Sequence, residues 1–112
     1  MLFLGARGAG KTTMIKQLNR RGLVEPGLNP RQIKRQWPNS KAAVYVFDVS
    51  PTGPAIESQL SSYKAAKNAI GGLFIHAASK VDIADHGKLK KLRSAVPDLH
   101  TDIDGLRTAI YS

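Results

Sequence analysis

Cysteine is absent from this sequence of 112 residues. Its absence excludes a disulfide framework, a catalytic thiolate and a zinc site built on cysteine ligands. Long hydrophobic runs are also absent, because the run at residues 42–47 is far shorter than the roughly 18 apolar residues that span a membrane. Residues 1–4 are apolar but no basic segment precedes them, so no secretory signal is expected. These features favour a cytoplasmic protein without a transmembrane segment.

Acidic residues are few, and the charge is therefore unbalanced. Seventeen Lys and Arg residues stand against eight Asp and Glu, which gives a formal net charge of +9. Residues 1–36 contain eight basic residues and a single acid, Glu25. A second basic cluster consists of Lys88, Lys90, Lys91 and Arg93. This excess favours polyanionic partners, namely nucleotide phosphates, nucleic acid or an acidic membrane surface, although a solvated surface that aids solubility explains the second cluster equally well.

Short apolar runs alternate with helical patterns, the order expected of an α/β fold with crossover helices. The predicted strands are residues 1–4, 42–49, 73–77 and 97–100. The predicted helices are residues 11–21, 54–70, 86–95 and 104–111, with a helical turn at 31–36. The strand at 42–49 is apolar almost throughout, as expected of a central parallel strand that is buried on both faces. We therefore predict one α/β domain over residues 1–112, a sandwich of three layers with a mainly parallel sheet.

Residues 22–41 are predicted to be a short, basic and largely irregular connection. They contain three turn signals, Pro26-Gly27, Asn29-Pro30 and Trp37-Pro38-Asn39. Trp37 is interpreted as a hydrophobic plug over a sheet edge, with base stacking as the alternative.

The strongest motif covers the end of the first predicted strand and the start of the first predicted helix. Residues 5–12, with the letters GARGAGKT, form a complete G-x-x-x-x-G-K-[ST] pattern. The glycines allow a tight loop whose N–H groups surround a phosphate, and the following helix adds the positive end of its dipole. Lys11 reaches the β- and γ-phosphates, and the Thr12 hydroxyl is a ligand for Mg²⁺. A chance glycine-rich turn is the alternative, but a strand precedes this loop and a helix follows it.

The motif makes the expected fold an abbreviated P-loop NTPase sandwich. The predicted phosphate-binding residues are Gly5, Arg7, Gly8, Ala9, Gly10, Lys11, Thr12 and Thr13. Arg7 either crowds the γ-phosphate or points to solvent.

A second motif, Ser79-Lys80-Val81-Asp82, follows the third predicted strand and is close to Asn/Thr-Lys-x-Asp. In a guanine site the Asp carboxylate accepts hydrogen bonds from the ring N1–H and the exocyclic amine, while the Lys stem packs along the base. The motif lies at the carboxyl edge of the sheet, where open α/β sheets bind ligands. We predict that Ser79, Lys80 and Asp82 bind guanine; a solvated turn is the alternative.

Together these motifs resemble the Ras-like small GTPases, and most closely the Rag/Gtr group. Residues 44–49 and 60–63 resemble the fourth strand and third helix of that group, and residues 73–76 resemble its fifth strand. Either His76 or Ser79 occupies the Asn/Thr place, because two alanines separate them. Residues 101–103 resemble a shortened form of the last guanine-contacting loop. The resemblance implies a guanine nucleotide, GTP or GDP, bound with Mg²⁺.

The chain departs from that family in the switch region. Ras-like proteins carry a Thr in the first switch and Asp-x-x-Gly in the second, but here no Thr lies between Thr13 and Thr52 and no Asp precedes Asp48. The 37 positions from Lys11 to Asp48 are too few for two switch loops and their strands. No catalytic residue is assigned. The resemblance with this gap implies that GTP hydrolysis is slow or absent, and that another protein subunit covers the shortened switch region.

Two other functions remain open. Asp48 after an apolar strand also fits a Walker B carboxylate that holds Mg²⁺, which favours a P-loop ATPase or small-molecule kinase. The chain also fits a non-catalytic GTPase-fold subunit of a larger assembly. His76, His86 and His100 have no metal-ligand spacing and are interpreted as structural or solvent-facing.

Overall fold

The structure, a computed structural model, describes residues 1–26, 29–38 and 42–111. Its elements are β1 (Leu2–Gly5), α1 (Lys11–Leu18), α2 (Pro30–Gln36), β2 (Ala42–Asp48), α3 (Ile56–Ile70), β3 (Leu73–Ser79), α4 (His86–Ala95) and α5 (Ile103–Tyr111). A 3₁₀ turn at Val81–Ile83 connects β3 to α4. The alternation of strands and helices confirms the α/β class.

The described strands form one sheet in the order β1-β2-β3, and every pairing in it is parallel. The central strand β2 is buried along nearly its whole length. Its side chains alternate between two hydrophobic clusters, with Tyr45 and Phe47 on one face and Val44 and Val46 on the other. A strand buried on both faces has this apolar sequence because neither face meets water.

Helices cover both faces of the sheet. Ile33 of α2, Tyr63 of α3 and Leu92 of α4 pack into the cluster that contains Tyr45. On the opposite face, Met14 of α1 and Leu106 of α5 complete the second cluster. The molecule therefore has the three predicted layers, with the loops at the carboxyl ends of the strands on one edge.

The predicted fourth strand at residues 97–100 is wrong. Leu99 N–H donates to Val96 O at 3.3 Å, so the chain turns there, and Pro97 lies at the second position of this turn. Only His100 reaches the sheet, through a single parallel bridge to Ala77.

Among the element boundaries that differ from the prediction are those of α1, α2 and β3. The helix predicted to reach residue 21 ends at Leu18, because Asn19 adopts a left-handed conformation with φ 51°. The Asn29-Pro30 turn signal is the start of α2, where Asn29 and Gln32 form a reciprocal capping box. β3 continues to Ser79, two residues beyond its predicted end.

Some predicted features lie outside the described residues. The connection at 22–41 includes residues 27, 28 and 39–41, so the turn signals at Pro26-Gly27 and Trp37-Pro38-Asn39 are described only in part. Across the described ranges the longest helix, α3, has 15 residues, and no helix has the length and hydrophobicity that crossing a membrane requires.

Candidate functional site

The loop between β1 and α1 requires glycine at both of its ends. Gly5 has φ 150°, and a Cβ at this position would lie 2.5 Å from the carbonyl oxygen of Val46. Gly10 precedes α1 with φ 94°, and a Cβ there would lie 3.3 Å from the Cβ of Ser79. A side chain would be strained at both positions and would strike backbone at the first. The loop is thereby held close to the carboxyl ends of β2 and β3.

The N-terminus of α1 opens into this loop without a cap from any described side chain. Its first N–H groups therefore retain hydrogen-bonding capacity and carry the positive end of the helix dipole. The Lys11 ammonium lies beside them and donates to the carbonyl oxygens of Gly5 at 2.8 Å and Ala6 at 3.2 Å. Burial lowers the pKa of Lys11, and the negative charge of Glu25 opposes that shift. This combination of donors and positive charge is suited to an anion such as a phosphate.

The predicted Mg²⁺ ligand Thr12 donates its hydroxyl to the carboxylate of Glu25. Sequence reasoning missed Glu25, because it lies in a connection whose path no local signal predicts. The structure brings it to the loop through Val24, which forms a single parallel bridge with Leu2 on the outer edge of β1.

The end of β3 is joined directly to the glycine-rich loop. The hydroxyl of Ser79 donates to the carbonyl oxygen of Ala9, and the Lys80 ammonium donates to the carbonyl oxygen of Gly8 at 2.9 Å. Lys80 reaches back in this way from a left-handed backbone conformation with φ 58°. The two motifs singled out in the sequence, some 70 residues apart, therefore form one continuous surface.

Asp48 anchors the same surface from the end of β2. It is only 3% exposed, and its carboxylate accepts from the N–H of Ser50 at 2.8 Å, the hydroxyl of Ser50 at 2.6 Å and the Lys80 ammonium at 2.9 Å. Burial acts to raise the pKa of Asp48, but these hydrogen bonds and the charge of Lys80 outweigh it, and the pKa is lowered. Asp48 is thus a charged, fully engaged residue that holds Lys80.

A pocket of about 380 Å³ lies between α1, the end of β3 and the start of α5. It is lined by Gly10, Thr13, Met14, Gln17, Ala77, Ala78, Ser79, Lys80, Val81, Asp82, His100, Thr101, Asp102, Ile103 and Leu106. The two carboxylates that line this pocket differ in their hydrogen bonding. Asp102 accepts a hydrogen bond from the N–H of Gly105 at 2.6 Å, whereas Asp82 is exposed and makes no hydrogen bond to the described part of the chain. Both carboxylates are exposed, and Asp82 is the one with neither oxygen engaged by the described residues.

His76, the alternative to Ser79 in the Asn/Thr place, does not line this pocket. It is 8% exposed, and its Nε2 lies 2.6 Å from the Tyr63 hydroxyl on the opposite face of the sheet. Its Nδ1 lies 3.1 Å from a carboxylate oxygen of Asp98, but the two are not aligned for a hydrogen bond. Of the two alternatives, only Ser79 lines the pocket.

The remaining predicted residues are distributed around the loop. Arg7 is exposed, Thr13 faces the pocket, and Ala9 is buried with 1% exposure. Trp37 is half-buried and packs against the cluster that contains Ile33. This packing fits a hydrophobic plug, whereas a position over a sheet edge stays a prediction.

The second basic cluster is only partly available to a polyanion. The Lys88 ammonium donates to the carbonyl oxygens of Ser50 and Gly53, each at 2.9 Å, and Lys91 pairs with Glu57. Half of this cluster therefore contributes to the packing of α4, a role that neither of the two interpretations included.

Among the described residues, no group of three or more His, Cys, Asp or Glu is placed to hold a metal ion. No protein family model matches the chain, and no curated protein matches it at a significant level.

Proposed function

We propose that this chain binds a guanine nucleotide, with the phosphates in the loop at residues 5–13 and the base in the pocket beside Asp82. The observation that carries the proposal is the junction of the two motifs. Ser79 and Lys80 each donate to a carbonyl oxygen of the glycine-rich loop. The segment at residues 79–82, which ends in Asp82, is therefore in direct contact with that loop. A site for phosphates and a site for a base are adjacent, as a nucleotide requires.

The pocket supports a base in size and in chemistry. Its volume of about 380 Å³ is within the range of small-ligand sites. Apolar side chains of Met14 and Leu106 line it beside the carboxylate of Asp82. A planar ring that presents two adjacent N–H donors matches that carboxylate, and guanine has such an edge whereas adenine does not.

Mg²⁺ is the metal that the resemblance implies. The Thr12 hydroxyl, which lies in the first turn of α1 and already contacts a carboxylate, provides the oxygen chemistry that Mg²⁺ prefers. When bound, the ion would neutralise charge on the phosphates. The residues of the chain orient the nucleotide: the N–H groups of the loop and Lys11 hold its phosphates, and Asp82 holds its base.

Hydrolysis is expected to be slow or absent. Efficient phosphoryl transfer to water needs a residue that positions the water and a group that stabilises the transition state. The only described side chain of the loop with a positive charge besides Lys11 is Arg7, which is exposed. We therefore propose nucleotide binding rather than nucleotide hydrolysis. The proposal also includes a second protein subunit that covers residues 22–41.

The alternative role of Asp48 as a Walker B carboxylate has less support. The Asp48 carboxylate is engaged by Ser50 and Lys80, while the Thr12 hydroxyl contacts Glu25 instead. A Walker B role for Asp48 would therefore need its pairings with Ser50 and Lys80 to rearrange.

The test is thermal unfolding of the full chain with GDP, GTP or ATP, since a ligand of the folded state raises the melting temperature. We expect a rise with GDP and GTP and none with ATP. Lys11→Ala should abolish the rise, whereas Lys16→Ala, an exposed change on the same helix, should leave it intact. Asp82→Asn should weaken GDP binding by about 2 kcal/mol, roughly thirtyfold.

Xanthosine diphosphate makes the Asp82 test specific to the base. Xanthine has a carbonyl where guanine has its exocyclic amine, so it accepts a hydrogen bond that an Asn amide donates and an Asp carboxylate cannot. Asp82→Asn should therefore bind xanthosine diphosphate more tightly than the parent does. A rise with ATP alone, or no rise with any nucleotide, would overturn the proposal, and equal GDP affinity in Asp82→Asn would show that residues 79–82 form only a turn.

A further inference from the structure

Glu25 occupies an unexpected place for an acidic residue. It is the single acid among the first 36 residues, yet its carboxylate contacts the Thr12 hydroxyl at the start of α1. Its negative charge also partly offsets the lowering of the Lys11 pKa that burial causes. A carboxylate at the mouth of an anion site weakens the binding of a bare phosphate, so its presence there needs another explanation.

The backbone positions Glu25 from both sides. The N–H of Val24 donates to Met1 O at 3.0 Å, and the N–H of Phe3 donates to Val24 O at 2.8 Å. Val24 is therefore fixed beside the edge of β1, and Glu25 is the next residue. Pro26 follows and restricts Glu25 to extended conformations. The carboxylate is brought to Thr12 by the sheet edge and by the proline, and not by the side-chain rotamer alone.

We propose that Glu25 is the carboxylate that, with the Thr12 hydroxyl, holds a divalent cation beside the phosphates of the bound nucleotide. This inference rests on the proposed function, because the cation is held jointly by the chain and the phosphates. Mg²⁺ in nucleotide sites is typically bound through one or two carboxylates, substrate phosphates and water. The pair of Thr12 and Glu25 supplies one hydroxyl and one carboxylate, both of them hard oxygen donors.

In this role, Glu25 lowers nucleotide affinity when no divalent cation is bound and raises it when one is bound. Without a divalent ion, the carboxylate repels the phosphates and lowers nucleotide affinity. With the ion bound between them, the same charge stabilises the complex. A residue that serves only to fix the fold, or only to compete with phosphate for Lys11, produces no such reversal.

The experiment measures the affinity of the full chain for GDP and for a GTP analogue with a non-hydrolysable β–γ bridge, in EDTA and in millimolar Mg²⁺. The factor by which Mg²⁺ tightens binding is compared in the parent, Glu25→Gln and Thr12→Ala. Glu57→Gln is the matched control, because Glu57 is the only other glutamate and lies at the surface on α3. A melting curve of each variant confirms that it is folded.

We expect Glu25→Gln to reduce the tightening by Mg²⁺ at least tenfold, the lower end of the loss seen when a metal site loses a supporting group. In EDTA this variant should bind at least as tightly as the parent. Mn²⁺ can replace Mg²⁺ in a titration, and electron paramagnetic resonance then measures the concentration of free Mn²⁺. The nucleotide complex of Glu25→Gln should bind Mn²⁺ more weakly than the complex of the parent does. Glu57→Gln should match the parent in nucleotide affinity under both conditions and in retention of Mn²⁺.

Three outcomes would overturn the inference. If Glu25→Gln raises affinity by the same factor in EDTA and in Mg²⁺, Glu25 is an internal competitor for the phosphate site. If the tightening by Mg²⁺ is unchanged in Glu25→Gln but lost in Thr12→Ala, the cation site does not include Glu25, and the proposed nucleotide binding stands. If the parent binds neither nucleotide, both proposals fail together.

Discussion

At the scale of single residues, the contact between Asp48 and Lys80 connects the glycine-rich loop to the sheet. Lys80 donates to both Asp48 and Gly8, so one ammonium links the end of β2 with the loop. The Asp48 side chain is 4% exposed and the Lys80 side chain is 36% exposed, so solvent screens only the Lys80 side of the pair. We therefore expect this pair to contribute to stability, unlike ion pairs at the surface.

Asp48→Asn should lower the free energy of unfolding at pH 7 by about 1.5–3 kcal/mol, because it weakens hydrogen bonds to a charged group. The difference from the parent should shrink as the pH falls below about 4. The folded protein lowers the pKa of Asp48, so its stabilisation is present above the ordinary Asp value and is lost on acidification. Urea unfolding over this pH range measures both quantities.

Asp104→Asn is the control for that substitution. Its carboxylate side chain is 88% exposed and pairs with Arg107 on the surface of α5, so the loss should be below about 1 kcal/mol. Equal effects of the two substitutions would show that the Asp48 pair has no special weight.

At the scale of elements, α4 holds the loop that follows β2. The N–H of Asp85 donates to Val49 O at 2.8 Å, and Lys88 donates to the carbonyl oxygens of Ser50 and Gly53. Loop carbonyls that have no strand or helix partner are satisfied in this way by one charged side chain. The contact fixes the segment that carries Ser50 toward Asp48.

Lys88→Met retains most of the apolar stem and removes these hydrogen bonds, so it should destabilise the protein by about 1–3 kcal/mol. Lys90→Met makes the same change at an exposed position on the same helix and should alter stability by less than about 0.5 kcal/mol. Thermal or urea unfolding of the two variants decides between a structural Lys88 and a purely solvated basic cluster, since the latter requires equal and small effects.

At the scale of the whole molecule, stability should depend on the charge of the core residue His76. Burial lowers the pKa of His76; Asp98 opposes this, while Lys67 and His100 add to it. The folded state therefore favours the neutral ring, which Tyr63 contacts. The unfolded chain binds the proton more readily, so stability should be full above about pH 6.5 and fall as the pH drops below that value.

Urea unfolding between pH 8 and pH 5 tests this dependence. His76→Gln removes the titration but keeps a polar group that can contact Tyr63, and it should flatten the decline in stability. His86→Gln replaces an exposed histidine and should leave the decline as it is in the parent. The same pH profile in all three proteins would contradict a role for His76.

Much of the fold was predictable, because its signals are local. The apolar run of β2 has the composition of a strand buried on both faces, and the spacing of apolar residues in α3 indicates a helix with one buried side. The loop at residues 5–12 was also predictable from a local signal, because its glycines and the following Lys-Thr pair form a motif that connects a strand to a helix. The wrong strand at 97–100 shows the limit: four residues with one proline carried too little pattern to distinguish a turn.

The candidate site required the tertiary structure, because its contacts join residues far apart in sequence. Ser79, and not His76, lines the pocket because β3 continues to its end beside β2, where its last two residues pair with Phe47 and Asp48. The contact of Glu25 with Thr12 follows from the bridge between Val24 and Leu2. No periodic pattern in the sequence predicts that bridge. Local propensity acts over a few residues, whereas the position of a carboxylate relative to a distant hydroxyl depends on how the sheet and its edge assemble. Residue types and spacing were therefore enough to predict the glycine-rich loop between the first strand and the first helix, and only the packed sheet could show which acidic group lies beside it.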